Sequence, residues 1–186
     1  MDERTDGDVM QELVQGDSHA FEELLRRYEK PIYNFIYRQV FHREDARDLT
    51  QETFLKIYKF RSSYDATKKF STWAYTIATR TLYDWWRKKQ RTIITTELID
   101  DASGGLDPET ITLPSAYNSI ESKIDVEQAL ATLKPIHSTI LLLYYQHGFL
   151  YQEIAEALNI PVNTVKTHLY RAKKALREKL QDSYAN

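Results

Sequence analysis

Aromatic and basic side chains alternate between Lys68 and Arg91, in KKFSTWAYTIATRTLYDWWRKKQR. All three tryptophans of the chain (Trp73, Trp85, Trp86) lie there, with Phe70, Tyr75 and Tyr83. The stretch carries seven basic residues and one acid, Asp84. The chemistry open to it is non-covalent: rings stack on unpaired bases while cationic groups neutralise phosphates. A tryptophan-rich core helix with a solvated basic end has the same composition, and the stretch alone does not separate the two. A second capable set, Asn163, Thr164, Lys166, Thr167, His168 and Arg171, stands near the start of a later amphipathic segment. Lysine and arginine can read guanine in a major groove, and asparagine can read adenine. Lys173, Lys174 and Arg177 come further along, where phosphate contact is the simpler role.

Bond-making chemistry finds little support. Glu97 to Glu127 holds eight acids and one base. Its Asp100, Asp101, Asp107 and Glu109 could pair as catalytic carboxylates, but nothing around them predicts the rigid, desolvated setting that tunes such groups. The chain has no cysteine, which excludes disulfides and thiolate metal sites and fits a reducing compartment. Its five histidines show no ligand spacing, and there is no GxxxxGK[ST] phosphate loop. No metal or cofactor is therefore expected. No window approaches the roughly 18 apolar residues of a membrane span, and the acidic start MDERTDGDV is not a secretory signal.

The elements that position these residues read as helices throughout, since glycine and proline are scarce at five each. A short helix is expected from Asp8 to Gln15, ended by Gly16. Asp17 or Ser18 caps a second helix, with Phe21, Leu24, Leu25, Tyr28, Ile32, Phe35 and Ile36 at helical spacing. Pro31 should kink or restart it. In Glu44 to Phe60, Ala46, Leu49, Thr53, Phe54 and Ile57 form one apolar stripe. Asp45, Asp48, Gln51, Glu52 and Lys56 form a polar face beside it, either plainly solvated or a docking surface for a basic helix. Ser71 is the expected cap of a helix from Thr72, with Trp73, Ile77, Ala78 and Leu82 at core spacing and Trp85 near the same face. Tyr75, Arg80, Trp86 and Arg87 fall nearer other faces.

Periodicity then stops from Thr92 to Ser119, a stretch with Gly104-Gly105, Pro108 and Pro114 that reads as a linker between domains. Beyond it, Ile124, Ala129, Leu130 and Leu133 predict a helix ended at Lys134-Pro135. Pro135 opens another, whose run Ile140 to Leu143 should be the most buried part, closed by Gly148. Tyr151 to Leu158 (Ile154, Ala155 and Leu158 inward), a turn with Asn159 in the left-handed region, and a helix capped by Asn163 (Val165, Leu169, Ala172 and Leu176 inward) have helix-turn-helix spacing. The fold class is thus all-α: two small helical domains, 1–91 and 120–182, joined by a flexible acidic linker, 92–119.

Taken in order, these segments resemble the bacterial RNA polymerase sigma factors of the extracytoplasmic-function class, over nearly the whole chain. EDARDLTQETFLKIY resembles region 2.2, which implies that Asp45, Asp48, Gln51, Glu52 and Leu55 dock on the clamp helices of the largest polymerase subunit. KFSTWAYTIATRTLYDWWRKKQR resembles regions 2.3 and 2.4. That implies roles for Tyr64, Lys68, Lys69, Trp73, Arg80, Asp84, Arg87 and Lys88 in opening and reading the −10 element. The polar loop 64–69 would hold a flipped base, and Trp73 also lies on the core stripe. Ile120 to Leu180 resembles region 4, which implies −35 recognition by Asn163, Thr164, Lys166, Thr167, His168, Arg171 and Lys174. The linker resembles the segment threaded toward the polymerase active centre. The resemblance further implies core RNA polymerase and promoter DNA as partners, an anti-sigma factor that is often membrane-anchored, a cytoplasmic location and no enzymatic activity. A stand-alone LuxR-type helix-turn-helix regulator would explain NTVKTHLYRAKKAL but leave the DLTQETF and aromatic segments without a role.

Overall fold

The computed structural model describes residues 4–89, 126 and 128–184. Among them the fold is all-helical, and the chain divides into two compact units, residues 1–91 and 92–186. The expected linker 92–119 and Ile124 lie outside the described residues.

In the N-terminal unit, α1 (Asp6–Val14) begins with a capping box. The Thr5 hydroxyl accepts from the Asp8 amide at 3.2 Å, and the Asp8 carboxylate accepts from the Thr5 amide at 3.1 Å. Val9, Met10 and Leu13 are buried, and Gly16 leaves the helix at φ 104°. α2 (Ser18–Val40) is capped by Asp17, whose carboxylate accepts from the His19 amide at 2.9 Å. It runs continuously through Pro31, so of the expected kink or restart the restart does not occur. Leu24, Ile32, Phe35 and Ile36, on both sides of the proline, are fully buried. That burial offsets a lost helical bond worth about 3 kcal/mol. α2 ends at Phe41, a non-glycine residue in the left-handed region (φ 53°).

α3 (Arg43–Lys59) buries the whole expected stripe, Ala46, Leu49, Thr53, Phe54 and Ile57. A 3-10 turn (Arg61–Ser63) and a short loop lead into α4 (Phe70–Lys89). α4 starts before Ser71, so Ser71 sits inside the first turn and is not the cap. The Trp73 amide already bonds the Lys69 carbonyl at 3.3 Å, and Phe70 is drawn into the core. α4 packs against α1, α2 and α3. Being covered from several sides, it buries more of its circumference than one stripe: Tyr75 and Trp86, expected on other faces, are buried, whereas Trp85 is half-exposed. Tyr75 meets Phe35 edge-on at 5.2 Å, and Trp86 lies 5.3 Å from Tyr83.

In the C-terminal unit, residues 128–131 are helical, with Ala129 and Leu130 buried. α5 (Pro135–Leu141) has its proline in the first turn, as expected, and Ile140 to Leu143 are buried. The helix then widens into a π-helical turn, Leu142–Gln146, which ends before Gly148 (φ 65°). Adjacent tyrosines of this turn have different partners. Tyr144 stacks on Tyr151 (5.3 Å, 10° between planes), and the Tyr145 ring lies 5.8 Å from the Lys173 ammonium. α6 (Tyr151–Leu158) and α7 (Val162–Tyr184) form the helix-turn-helix. Ile154, Ala155 and Leu158 of α6 and Val165, Leu169, Ala172 and Leu176 of α7 are all buried. Asn159 takes the left-handed conformation (φ 55°, ψ 47°) that the turn needs. Asn163 is not the cap. The Pro161 carbonyl already accepts from the Thr164 and Val165 amides, at 3.0 and 3.1 Å, so α7 starts at Val162.

Asn159 gives a direct test of this turn. Asn159→Val should destabilise the C-terminal unit by about 1–2 kcal/mol, because a β-branched residue resists positive φ, whereas Asn159→Gly should cost no more than a few tenths. Denaturant titration of the full chain followed by circular dichroism measures both. Equal losses would show that the backbone conformation is not the cause.

Candidate nucleic-acid interface

Local hydrogen bonds shape the loop between α3 and α4. The Ser63 hydroxyl donates to the Phe60 carbonyl at 2.7 Å. The Asp65 carboxylate accepts from the Thr67 amide (2.9 Å) and hydroxyl (2.7 Å), an Asx turn that also holds its pKa below the ordinary value. The Tyr64 hydroxyl donates to the Lys68 carbonyl at 2.6 Å and so closes the loop on itself. The Tyr64 ring lies 6.2 Å from Phe70 and edge-on to Trp73 at 5.4 Å. Trp73 is half-buried, neither a core residue nor a free ring, so its core-stripe expectation holds only in part. Lys68 and Lys69 are exposed beside this pair. Partly covered rings next to cationic groups can take a base edge and a phosphate together.

Further along α4, Arg80, Arg87 and Lys88 are exposed and Asp84 is half-exposed, at helical spacing along one face. Asp84 pairs with Arg87 at 3.5 Å and with Lys56 of α3 at 3.9 Å. Lys56 in turn pairs with Glu52 at 2.8 Å and donates to the Thr81 hydroxyl at 3.1 Å. Sequence reasoning put Lys56 on the polar face but missed this linking role, which shows only once α3 and α4 are side by side.

On α3, Asp48 and Gln51 are exposed, Glu52 is partly exposed, and Leu55 is 69% exposed. The spacing i, i+3, i+4, i+7 makes these one stripe. Asp45 extends it by one turn and is half-buried against His42 at 3.3 Å. A highly exposed leucine in an acidic stripe is what a partner with basic and apolar side chains would cover.

On α7, Asn163, Lys166 and Lys174 are exposed and Arg171 is half-buried. The expectation that all seven side chains present themselves is corrected for Thr164, Thr167 and His168, which are buried. The Thr167 hydroxyl donates to the Asn163 carbonyl at 3.0 Å. The His168 ring lies 5.5 Å from that of His137 on α5. A 3.6-residue period at the start of α7 cannot tell a groove-facing threonine from an enclosed one, because both turns of the period are polar. Among the described residues there is no group of three or more His, Cys, Asp or Glu that could hold a metal ion, and no helix long and apolar enough to cross a membrane.

Residues 24–92 match the family model of sigma-70 region 2, and residues 123–176 that of sigma-70 region 4. Over 183 residues the chain is 33% identical to the ECF RNA polymerase sigma factor SigW of Bacillus subtilis (strain 168), covering 93% of this chain and 95% of that protein. The chain belongs to the ECF RNA polymerase sigma factors. The RNA polymerase sigma factor YlaC of the same organism is also 33% identical, over 165 residues, with 88% and 94% covered. Two solved structures share the fold. CnrH, in complex with the cytosolic domain of CnrY, has a TM-score of 0.69 at 18% identity, with 97% of this chain and 99% of that one covered. The sigma factor RpoE of Bartonella quintana, in complex with the anti-sigma factor NepR, has a TM-score of 0.66 at 23% identity, with 87% and 96% covered. This sigma factor is thus a promoter-specificity subunit that binds core RNA polymerase and promoter DNA in transcription initiation. The LuxR-type alternative is not favoured, since it leaves unexplained residues 24–92, which match region 2.

The histidine pair gives the sigma factor a pH signature. Burial, then the neighbouring His168, Lys134 and Arg171, push His137 down from its ordinary 6.5 to about 4. Between these values the unfolded chain binds a proton that the folded unit refuses. Stability is therefore full above about pH 6.5 and falls as pH drops toward 4. Hydrogen-exchange protection of α7 across this range should show the slope, and His137→Phe should flatten it. An unchanged slope in the variant would assign the effect to other groups.

Proposed function

We propose that this sigma factor divides its work among three surfaces. The α3 stripe Asp45, Asp48, Gln51, Glu52 and Leu55 docks on the clamp helices of the largest polymerase subunit, where arginines would make charge-assisted bonds to the acids. The loop 64–69 with Trp73, and the α4 face Arg80, Asp84, Arg87 and Lys88, capture and read the −10 element. On α7, Asn163, Lys166, Arg171 and Lys174 meet the −35 element, with bases nearest the first turns and phosphates further along. Thr164, Thr167 and His168 then support α7 from behind. Residues 1–91 and 120–182 act as the two DNA-reading domains. The intervening acidic 92–119 mimics nucleic acid in the basic channel of the polymerase.

The observation that carries this reading is the pairing of exposed Lys68 and Lys69 with the half-buried Tyr64 and Trp73 rings. Opening a promoter needs a surface that binds unpaired bases better than duplex, and each stacked base contributes roughly 1–3 kcal/mol. The energy is binding energy, so the chain itself catalyses no reaction and works in the cytoplasm, beside the polymerase. An anti-sigma factor is a further proposed partner, supported by the two fold relatives seen with CnrY and NepR. A membrane anchor on that partner would not require this chain to enter a membrane.

In vitro transcription with purified core polymerase on a promoter library tests the whole reading. Promoter-specific transcripts are expected, and tight duplex binding without core and without transcripts would overturn it. Asp48→Arg should abolish core binding in fluorescence anisotropy while leaving the helical circular dichroism intact; unchanged core affinity would remove the α3 stripe from the interface. Lys166→Ala should weaken holoenzyme binding by roughly 1–3 kcal/mol only on promoters with the cognate −35 sequence. A uniform loss on all sequences would reassign Lys166 to phosphate.

A further inference from the structure

The region 2 match begins at residue 24, so α1 lies outside it. Yet α1 touches the 3-10 turn and α4 as well as α2. Its first residue, Asp6, is the centre of a part-buried network. The Arg27 guanidinium donates to one carboxylate oxygen of Asp6 at 2.6 Å, and the Tyr28 hydroxyl donates to the other. Arg27 also bonds Glu23, Glu23 bonds Arg4, and Arg4 reaches Glu12 at 2.7 Å. The acceptor beside it raises the Arg27 pKa, and burial with the Asp6 bond raises that of Tyr28, so both donors keep their protons.

The network leads directly to the strand-capturing loop. The Tyr28 ring meets Phe70 edge-on at 4.9 Å. Phe70 lies between Tyr28 and Tyr64, and Tyr64 meets Trp73. Burial first, then the charges of Asp6 and Asp65, raises the Tyr64 pKa above its ordinary value. A shift of Tyr28 therefore passes through Phe70 to both rings of the proposed base site. None of these steps involves the α3 stripe.

We propose that Asp6 is a positioning residue for promoter opening: through Tyr28 and Phe70 it fixes Tyr64 and Trp73 in the geometry that receives an unpaired −10 base. α1 is then part of the DNA-melting device rather than an N-terminal appendage. The inference rests on the reading of loop 64–69 as the −10 site.

The test uses holoenzyme assembled from core polymerase and the full chain. The probe is a fluorescent single-stranded oligonucleotide carrying the non-template −10 segment of a promoter that the holoenzyme transcribes. Asp6→Asn and Tyr28→Phe should each weaken its binding by roughly tenfold, the usual weight of a hydrogen bond to a charged group, with core affinity within about twofold of wild type. On a Tyr64→Ala background the Asp6→Asn effect should vanish, since the two act on one ring set. Ile36→Val, a core change outside the network, should leave strand binding intact. Unchanged strand binding in both single variants, or a loss that simply adds to that of Tyr64→Ala, would overturn the positioning role. Loss of core affinity in step with strand affinity in both variants would reduce the network to fold maintenance and overturn it as well. If Tyr64→Ala itself leaves strand binding unchanged, it is the reading of the loop that fails.

Discussion

Phe70 sits at the first position of α4 with Tyr28 on one side and Tyr64 on the other, and it is almost wholly buried. Much of the N-terminal unit follows from that placement. It starts α4 before the serine that would otherwise have capped it. It leaves Trp73, one turn later, half-covered against Tyr64. It also joins the loop to α2, so that the loop's polar turn has an apolar floor. A loop of this length tied only by Asp65 and Ser63 would sample many shapes. Edge-on rings contribute about 0.5–1.5 kcal/mol per pair beyond the area they bury, and they fix direction as well as distance. Preformed geometry of this kind spares a binding site the ordering cost that would otherwise be subtracted from its affinity.

The opening of a duplex by binding alone demands such economy. Unpairing costs a few kcal/mol per base taken out of the stack, and in the proposed mechanism binding has to supply it. The sigma factor has to hold a few unpaired bases on surfaces that do not themselves need rearranging. α4 suits that role because it is covered on several sides, and its exposed part is confined to the basic edge and the loop end. The ion pairs from Asp84 to Lys56 and Arg87 orient that edge without neutralising it, since Arg80 and Lys88 add further positive charge.

Where apolar residues keep a simple helical period, the sequence was easy to read. The α3 stripe from Ala46 to Ile57 and the α7 stripe from Val165 to Leu176 both follow simple periodicity, and both are buried as spaced. Asn159 was legible for a local reason, because few residues tolerate its backbone conformation. The misreadings have tertiary causes. Tyr75 and Trp86 were set nearer other faces because one stripe was assumed for a helix that has several neighbours. Pro31 was expected to kink or restart α2, and the restart does not occur because packing on both sides outweighs one missing bond. Phe41 and the π turn carry no compositional mark: an aromatic in the left-handed region and a five-residue turn of leucines and tyrosines look ordinary as letters. The burial of Thr164, Thr167 and His168 depends on what lies over the start of α7, which no pattern within α7 records.

The π turn in the C-terminal unit bears on how separable its motif is. From the π turn at Leu142–Gln146, neighbouring tyrosines reach both arms of the helix-turn-helix, Tyr144 through Tyr151 and Tyr145 through Lys173. The angle between α6 and α7 is therefore held from a third element as well as by the turn at Asn159. The motif is not a freely portable cassette. Transplanted onto another scaffold as residues 151–180 alone, it would bring its DNA-facing letters but leave behind the hinge pin that keeps them in register.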